Sequence, residues 1–341
     1  MSADPRVEPG LVDLQVNGYA GHDVNADDVT PDTLTDLTRA LWARGVTSYL
    51  PTVITASEEK ILHVLSVIAA ARREDPLLAH SIAGVHVEGP SLAAEDGPRG
   101  AHDIARLRDP DVAELDRWQQ AAEGAVRLVT LAPERAGAAP YIAAASARGV
   151  RISLGHCAPS PQQVRAGVDA GATLSTHLGN GAASMLPRHP NHLWTQLADD
   201  RLTAMLIADG HHLPADTLTV MIRAKGPERC VLTSDSAALA GMPPGRYRTP
   251  VGGDVDVALD GRLNLAGTEY LAGSGSDLRT CLNWARAALP TDPTLLLDMA
   301  SRIPASLLGL EERTAAGGDF VLLEEDRVAE TYAAGTLVHR A

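Results

Sequence analysis

Residues 151–180 read RISLGHCAPSPQQVRAGVDAGATLSTHLGN. A short apolar run at 151–156 ends in His156, and a second run at 173–178 carries His177 near its end. The residues between them, 161–170, have apolar positions at helical spacing and stop at Gly171, a residue type common just after a helix. The stretch therefore predicts a strand, a helix and a second strand, with one histidine at the end of each strand.

The same alternation extends in both directions along the chain. Strands are predicted at 11–17, 47–54, 82–88, 126–132, 151–156, 173–178, 203–208 and 229–235. Helices are predicted between them at 32–44, 57–73, 111–121, 138–148, 161–170 and 214–225. Alternating strands and helices indicate an α/β protein with a parallel sheet. Eight such units favour closure into a (β/α)8 TIM barrel. A doubly wound open sheet is the alternative, although no G-x-G-x-x-G follows an early strand.

The alternation ends after the eighth strand. Residues 241–275 are rich in Gly and Pro and are predicted to form a hairpin insertion. Two helices are expected near 277–288 and 294–308. The barrel is thus predicted to occupy residues 1–310, and residues 311–341 are predicted to be a C-terminal β-extension with two short strands within 319–338.

Composition and charge limit the possible functions. The chain has 341 residues, 45% hydrophobic but only 3% aromatic, so aliphatic side chains must fill the core. A formal net charge of −14 argues against a nucleic-acid partner. No secretion signal or membrane-length apolar run is present. Three cysteines without metal-like spacing indicate reduced thiols, so we expect a cytoplasmic protein that does not bind membranes.

Polar and ionisable residues stand at the carboxyl ends of most predicted strands. They are Gln15, Asn17, Glu88, Glu134, His156, His177, Asn180, Asp209, His211, His212 and Asp235. In a closed barrel these ends meet on one rim, where active sites are built. The convergence of so many polar strand ends predicts an enzyme.

Glu88, His156 and His177 are predicted to bind a metal ion. Two imidazoles and one carboxylate leave a coordination position open, as in catalytic zinc sites. A lone histidine at a strand end is more often structural, but three such residues together on one rim favour a metal. Such an ion would activate water and polarise a carbonyl, and Asp235 across the rim could transfer the proton.

A series of motifs resembles that of the N-acetylglucosamine-6-phosphate deacetylases of the amidohydrolase superfamily. The motifs are PGLVDLQVNG (9–18), HVEGP (86–90), GAHD (100–103), TLAPE (130–134), GHCA (155–158), THLGN (176–180), IADGHH (207–212), LTSDS (232–236) and LAGS (271–274). HVEGP and THLGN are the most specific of them. The resemblance implies a metal-dependent hydrolase that removes the N-acetyl group of an amino-sugar phosphate, with a homodimer as the functional unit.

The resemblance also implies roles for individual residues. Glu88, His156 and His177 match the metal ligands, and Asp235 matches the catalytic acid and base. His212 is expected to contact the amide carbonyl and to act in catalysis. The residues expected to bind substrate are His102, Asn180, Gly181, Arg188, His212, Gly273 and Ser274. Arg188 matches an arginine that reaches the substrate phosphate in the partner subunit, a task that suits a guanidinium.

The first strand predicts how many metal ions are bound. It carries Gln15 and Asn17, where two-metal relatives have two histidines. Because amides are poor ligands for a second zinc or iron, we expect one divalent metal per subunit, Zn²⁺ or alternatively Fe²⁺.

Some stretches depart from the family pattern. The first barrel strand begins near Leu11, so most of the family's N-terminal β-structure is not expected here, and its C-terminal strands are expected without their usual partners. The eighth strand ends in Thr-Ser-Asp-Ser, and the loop after Asn180 has an unusual sequence. Since the loop changes lie around the sugar and phosphate, the sequence specifies the reaction better than the substrate.

Other functions remain open at this stage. One is a related amidohydrolase acting on another N-acyl or cyclic amide substrate without phosphate. A phosphosugar isomerase or lyase is a second, although it would not need three ligands on three strands. A binding protein without activity is a third, although it would not need Asp235.

Overall fold

The computed structural model describes residues 6–249 and 253–341. Eight parallel strands form one sheet in which the strands follow each other in chain order. They are Leu11–Val16, Val46–Ile54, Val85–Glu88, Val126–Leu131, Arg151–Leu154, Leu174–Ser175, Thr203–Ile207 and Cys230–Thr233. A parallel bridge between Val16 and Ser236 joins the first strand to the end of the eighth. The predicted barrel is confirmed, and the open sheet is excluded.

Helices surround the barrel. The α-helices are Pro31–Trp42, Glu58–Glu74, Pro76–Ser81, Val112–Ala121, Ala138–Ala147, Pro161–Asp169, His192–Ala198, Ala215–Lys225, Leu278–Ala288, Pro293–Ala300, Arg302–Leu308 and Glu311–Thr314, with 3₁₀ turns at Ile104–Arg106 and Pro227–Arg229. Thr30 and Ser160 start their helices with reciprocal capping boxes. None of the described helices combines the length and apolar character needed to cross a bilayer.

The helix predicted at 294–308 is two helices. It breaks at Ser301, whose φ of −138° and ψ of −80° are not helical. The helices Pro76–Ser81 and His192–Ala198 lie in segments for which no helix or strand was predicted. Both are short, and a short helix gives little periodic signal.

Aliphatic side chains fill the barrel, as the composition predicts. The interior cluster contains Val12, Leu14, Leu50, Leu128, Leu174, Met205 and Val231, all buried. Residues at alternate positions of the strands pack outward against the helices in a larger cluster. The upper barrel interior, by contrast, holds buried polar side chains that lead to the rim.

The insertion has more structure than the predicted hairpin. Strands Gly245–Thr249, Gly253–Val257 and Leu263–Leu265 form a three-stranded antiparallel sheet. Its side chains bury a small cluster of Leu239, Val255, Val257 and Leu263. The third strand supplies Leu263 to this cluster, and three strands with an apolar face are more stable than an isolated hairpin. A further short strand pair, Gly18–Tyr19 with His22–Asp23, follows the first barrel strand.

The C-terminal segment forms three strands, so the prediction of two was wrong. They are Phe320–Glu324, Arg327–Ala333 and Thr336–Arg340. Arg6–Pro9, which was not predicted as a strand, pairs antiparallel with the first of them and completes a four-stranded sheet. Arg6–Pro9 is short and contains proline, which hides a strand in a sequence pattern. Glu8 anchors it through ion pairs of 2.7 Å to Arg279 and 2.9 Å to Arg286.

Candidate active site

Glu88, His156 and His177 converge at the carboxyl ends of the third, fifth and sixth barrel strands. Their ligand atoms all lie within 4.8 Å of one another. Glu88 Oε1 is 3.2 Å from His177 Nε2 and 3.5 Å from His156 Nε2, and the two imidazole Nε2 atoms are 3.1 Å apart. All three side chains are buried. One carboxylate and two imidazole nitrogens facing a common point form a ligand set suited to a divalent metal.

The orientation of His156 fits a metal ligand. Its Nδ1 lies 2.9 Å from the carbonyl oxygen of Pro98. Because a carbonyl can only accept, Nδ1 carries the proton and the Nε2 lone pair of the neutral ring faces the cluster. Gly181 packs against the same ring, since a Cβ there would meet His156 Nδ1 at 2.8 Å. The loops that contain Pro98 and Gly181 therefore fix the ligand from two sides.

The first-strand residues Gln15 and Asn17 serve as hydrogen-bond donors. Gln15 Nε2 donates to Glu88 Oε1 at 2.9 Å. Asn17 Nδ2 donates to Asp235 Oδ1 at 2.8 Å. Each amide thus supports a carboxylate of the site, as outer-shell groups commonly do around metal ligands.

Asp235 lies half-buried just after the eighth strand and lines the same pocket. Burial raises its pKa above the ordinary value, the neighbouring Glu88 acts in the same direction, and His177 opposes them. Its Oδ1 accepts a hydrogen bond from Asn17 Nδ2. A carboxyl group with a raised pKa can accept and return a proton, which is the property of a general acid and base.

His212 is held by Asp209, to which the sequence assigned no role. His212 Nδ1 lies 2.7 Å from Asp209 Oδ2, and Asp209 Oδ1 accepts from the backbone N–H groups of His211 and His212. Burial alone would raise the pKa of Asp209, but the interactions with His212 lower it to about 2. The ionised carboxylate fixes the ring so that Nε2 is free to face the pocket. In the sequence, the three-residue spacing between Asp209 and His212 could have indicated this pair.

Three of these residues have left-handed backbone conformations. The φ angles are 47° at His156, 27° at His177 and 49° at Asp235. Such conformations are uncommon for residues other than glycine, and they concentrate at functional sites. Each lies where a barrel strand ends and turns its side chain toward the rim.

A pocket of about 520 Å³ lies over this cluster. Its lining includes the predicted residues Asn17, Glu88, His102, His156, His177, Asn180, Gly181, His212, Asp235 and Gly273. His102 Nε2 lies 3.7 Å from Glu88 Oε2. Ser274 is fully buried behind the wall, 3.5 Å from Asp209 Oδ2, and the exposed Arg188 does not line the pocket.

The roof of the pocket comes from the insertion and was not predicted from the sequence. Aliphatic side chains cover this side, namely Ala237, Ala238, Leu239, Val255, Leu263, Leu265 and Leu271. Tyr270 stands at the edge of the roof, largely exposed. Among the described lining residues there is no Lys or Arg, while Asp23, Glu88 and Asp235 are acidic. An anionic substrate group therefore needs a cation from elsewhere.

The fold and the site together define a class of protein. The barrel is closed, a carboxylate and two imidazoles meet at one point, and a half-buried carboxyl group lies beside them under an open pocket. The class is that of the metal-dependent hydrolases, in which the active site lies on the carboxyl rim of the barrel. A phosphosugar isomerase or lyase would not need this ligand cluster.

Comparison with known proteins shows the family. The amidohydrolase family, which is metal-dependent, matches residues 6–317. The N-acetylgalactosamine-6-phosphate deacetylase of Escherichia coli O157:H7 is 36% identical over 89% of this chain and 78% of its own length. The N-acetylglucosamine-6-phosphate deacetylase of Bos taurus is 36% identical over 97% of this chain and 82% of its own. The chain belongs to the amidohydrolase family and, within it, to the N-acetylglucosamine-6-phosphate deacetylase family.

Solved structures agree with this assignment. An N-acetyl-D-glucosamine-6-phosphate deacetylase variant from Mycobacterium smegmatis, in complex with N-acetyl-D-glucosamine-6-phosphate, superposes with a TM-score of 0.87 at 34% identity, covering 98% of this chain and 87% of its own. The N-acetylglucosamine-6-phosphate deacetylase of Thermotoga maritima gives a TM-score of 0.87 at 28% identity, covering 98% and 89%. The protein is thus an enzyme, a metal-dependent hydrolase.

Proposed function

We propose that this protein hydrolyses N-acetylglucosamine 6-phosphate to glucosamine 6-phosphate and acetate. The observation that carries the proposal is the convergence of Glu88, His156 and His177 beside Asp235 in one pocket. The names of the relatives support the substrate, since those from Bos taurus and Mycobacterium smegmatis are deacetylases of this sugar phosphate.

The metal centre is proposed to hold one divalent ion per subunit, Zn²⁺ in preference to Fe²⁺. Glu88, His156 and His177 would be its ligands. When bound, the ion supplies Lewis-acid polarisation of the amide carbonyl and lowers the pKa of water. Two observations support a single ion. The described residues contain one cluster of metal-ligand side chains, and Gln15 and Asn17 donate hydrogen bonds to Glu88 and Asp235.

Asp235 and His212 are proposed to carry the proton transfer and the charge stabilisation. Water adds to the acetyl carbon, and Asp235 accepts its proton. Asp235 then returns that proton to the sugar nitrogen as the C–N bond breaks, leaving acetate and the free amine. His212 donates a hydrogen bond from Nε2 to the oxygen that becomes negative, with the Asp209 carboxylate as its counter-ion.

Substrate recognition is proposed to involve both subunits of a homodimer. His102, Asn180, Gly181 and Gly273 line the pocket and can contact the sugar. The described lining has no cation for the phosphate, whereas Arg188 is exposed on a loop whose Met185 is also exposed. Arg188 would therefore reach the pocket of the partner subunit. Exposed Met and Arg side chains are enriched at protein interfaces.

A second candidate substrate is N-acetylgalactosamine 6-phosphate. The Escherichia coli relative named for this epimer is as similar to the chain as the Bos taurus enzyme named for the glucosamine epimer. A further candidate is an N-acyl compound without phosphate, which the aliphatic roof and the acidic lining favour. The proposal therefore needs a direct comparison of these three substrate types.

The test is an acetate-release assay combined with metal analysis of the purified protein. We expect one metal equivalent per chain and a higher kcat/KM for N-acetylglucosamine 6-phosphate than for its galactosamine epimer or the unphosphorylated sugar. Asp235→Asn should lower kcat by several orders of magnitude while metal remains bound, because the amide cannot carry the proton. Unchanged turnover in Asp235→Asn, or no acetate from any N-acetylated sugar phosphate, would overturn the proposal.

A cytoplasmic location is also proposed. Cys157, Cys230 and Cys281 are all free and buried, and buried free thiols fit a reducing compartment. Fluorescence microscopy or fractionation of cells that express the full chain would test this.

A further inference from the structure

Asp13 is a buried carboxylate in the barrel interior that the proposed chemistry does not use. It lies in the first strand and is fully buried. Its Oδ1 accepts from Thr233 Oγ1 at 2.8 Å, from the Ser234 backbone N–H at 3.2 Å and from the Gln15 backbone N–H at 3.3 Å. Its Oδ2 has no hydrogen-bond partner within residues 6–249 and 253–341. Burying a charge in such a place costs free energy of folding unless hydrogen bonds or ion pairs compensate for the lost hydration.

The contacts of Asp13 cross the weakest seam of the barrel. Every other pair of neighbouring barrel strands shares at least two paired positions, whereas the first and eighth strands share none within their own spans. The seam is closed by the bridge between Val16 and Ser236, beside which the Asn17 and Gly18 backbone N–H groups donate to the Ser236 carbonyl. A hydrogen bond of 3.3 Å from Ser234 Oγ to the Gln15 carbonyl lies beside it. Side-chain contacts thus reinforce a seam that has few backbone hydrogen bonds.

Two residues of the proposed active site, Asn17 and Asp235, follow the two strands of this seam. Asp235 follows Ser234 and has a left-handed backbone. Asn17, on the other side, donates to Asp235 Oδ1. Asp13 is therefore bonded to the backbone segment that ends in Asp235 and to the one that ends in Asn17.

We propose that Asp13 is a positioning residue that fixes Asp235 by holding the ends of the first and eighth strands together. The role rests on the proposed function, because it requires Asp235 to act in catalysis. Hydrogen bonds to a carboxylate are stronger than those to a neutral oxygen, so the charge suits a clamp between two strand ends. Burial raises the pKa of Asp13 to about 6, which leaves the carboxylate ionised at neutral pH.

The first test is Asp13→Asn in the full-length enzyme. The amide retains an accepting oxygen but makes weaker hydrogen bonds, and it places an N–H where Oδ2 has no partner. We expect kcat to fall about 10- to 100-fold, the range expected when a reacting group is slightly misplaced, with KM and metal content unchanged. Asp319→Asn is the matched control, because Asp319 is a buried carboxylate just before strand Phe320–Glu324 that accepts from the Ala334 backbone N–H. It should leave kcat unchanged.

The second test is a double-mutant cycle with Asp235→Asn. If Asp13 acts through Asp235, adding Asp13→Asn to Asp235→Asn should cause no further loss of kcat. A full additional loss would show an independent effect and overturn the inference, as would a wild-type kcat in Asp13→Asn alone. Should Asp13→Asn fail to fold, Thr233→Val is the alternative, because it removes the hydrogen bond from Thr233 Oγ1 to Asp13. It must lower kcat by a smaller factor and likewise cause no further loss when added to Asp235→Asn. Failure of the proposed function would appear separately, as unchanged turnover in Asp235→Asn.

Discussion

The metal corner and the substrate loops of this enzyme are built differently. The metal corner is Glu88, His156 and His177, and the substrate loops are residues 181–191 and 241–275. The corner residues are at most 9% exposed and stand at the ends of paired barrel strands. The loops instead expose Met185, Leu259 and Tyr270 at 88%, 94% and 75%. From this difference we expect the barrel to determine the reaction and the less constrained segments to determine the substrate.

Removing a corner ligand should have the largest effect. His177→Ala takes away one of the three proposed protein ligands, so we expect the metal content to fall far below one equivalent and turnover to drop by several orders of magnitude. Metal analysis after dialysis and the acetate assay measure both quantities. His80→Ala is the control, because His80 pairs with Asp319 outside the pocket. Bound metal and normal turnover in His177→Ala would show that the corner is not the metal centre.

A change in the first substrate loop should act on binding rather than on chemistry. Arg188→Gln removes a charged hydrogen-bond donor, so KM for the phosphorylated substrate should rise about 10- to 100-fold. KM for the unphosphorylated sugar should not change. Arg165→Gln makes the same charge change at an exposed position of helix Pro161–Asp169 and should leave both values alone. Equal effects of Arg188→Gln on both sugars would contradict a phosphate contact.

The roof should show the smallest effect. Tyr270 is the one Phe, Tyr or Trp side chain in the described pocket lining, and its apolar face can pack on a sugar ring. Tyr270→Ala should raise KM about two- to tenfold with little change in kcat, as steady-state kinetics will show. Leu259→Ala, on the same insertion but away from the lining, should do nothing. A large loss of kcat in Tyr270→Ala would show that the roof contributes to the chemical step. It would contradict the expectation that these loops affect only substrate binding.

The barrel and its rim could be predicted because their signals are local. Each strand is a short apolar run, and the polar residue at its carboxyl end must point to the common rim once the barrel closes. His156 and His177 were placed together by this argument alone, and the structure brings them within 3.1 Å.

The remaining features depend on contacts between distant residues. The pairing of Arg6–Pro9 with Phe320–Glu324 joins segments more than 300 residues apart, and neither segment alone shows which strand it will meet. Asp13 lies within an apolar strand, where the sequence shows a buried charge but not its partners on the eighth strand. The third strand of the insertion depends on the packing of Leu263, which also has no local signature.

The left-handed backbone at His156, His177 and Asp235 affects how this enzyme can be stabilised against heat. Each such conformation costs on the order of 1–3 kcal/mol in a residue other than glycine. Glycine or asparagine at these positions would relax that strain. A library of variants selected only for thermal stability should therefore be enriched in these substitutions and yield stable proteins without catalytic activity. Any search for a heat-resistant form must therefore select for product formation in the same step.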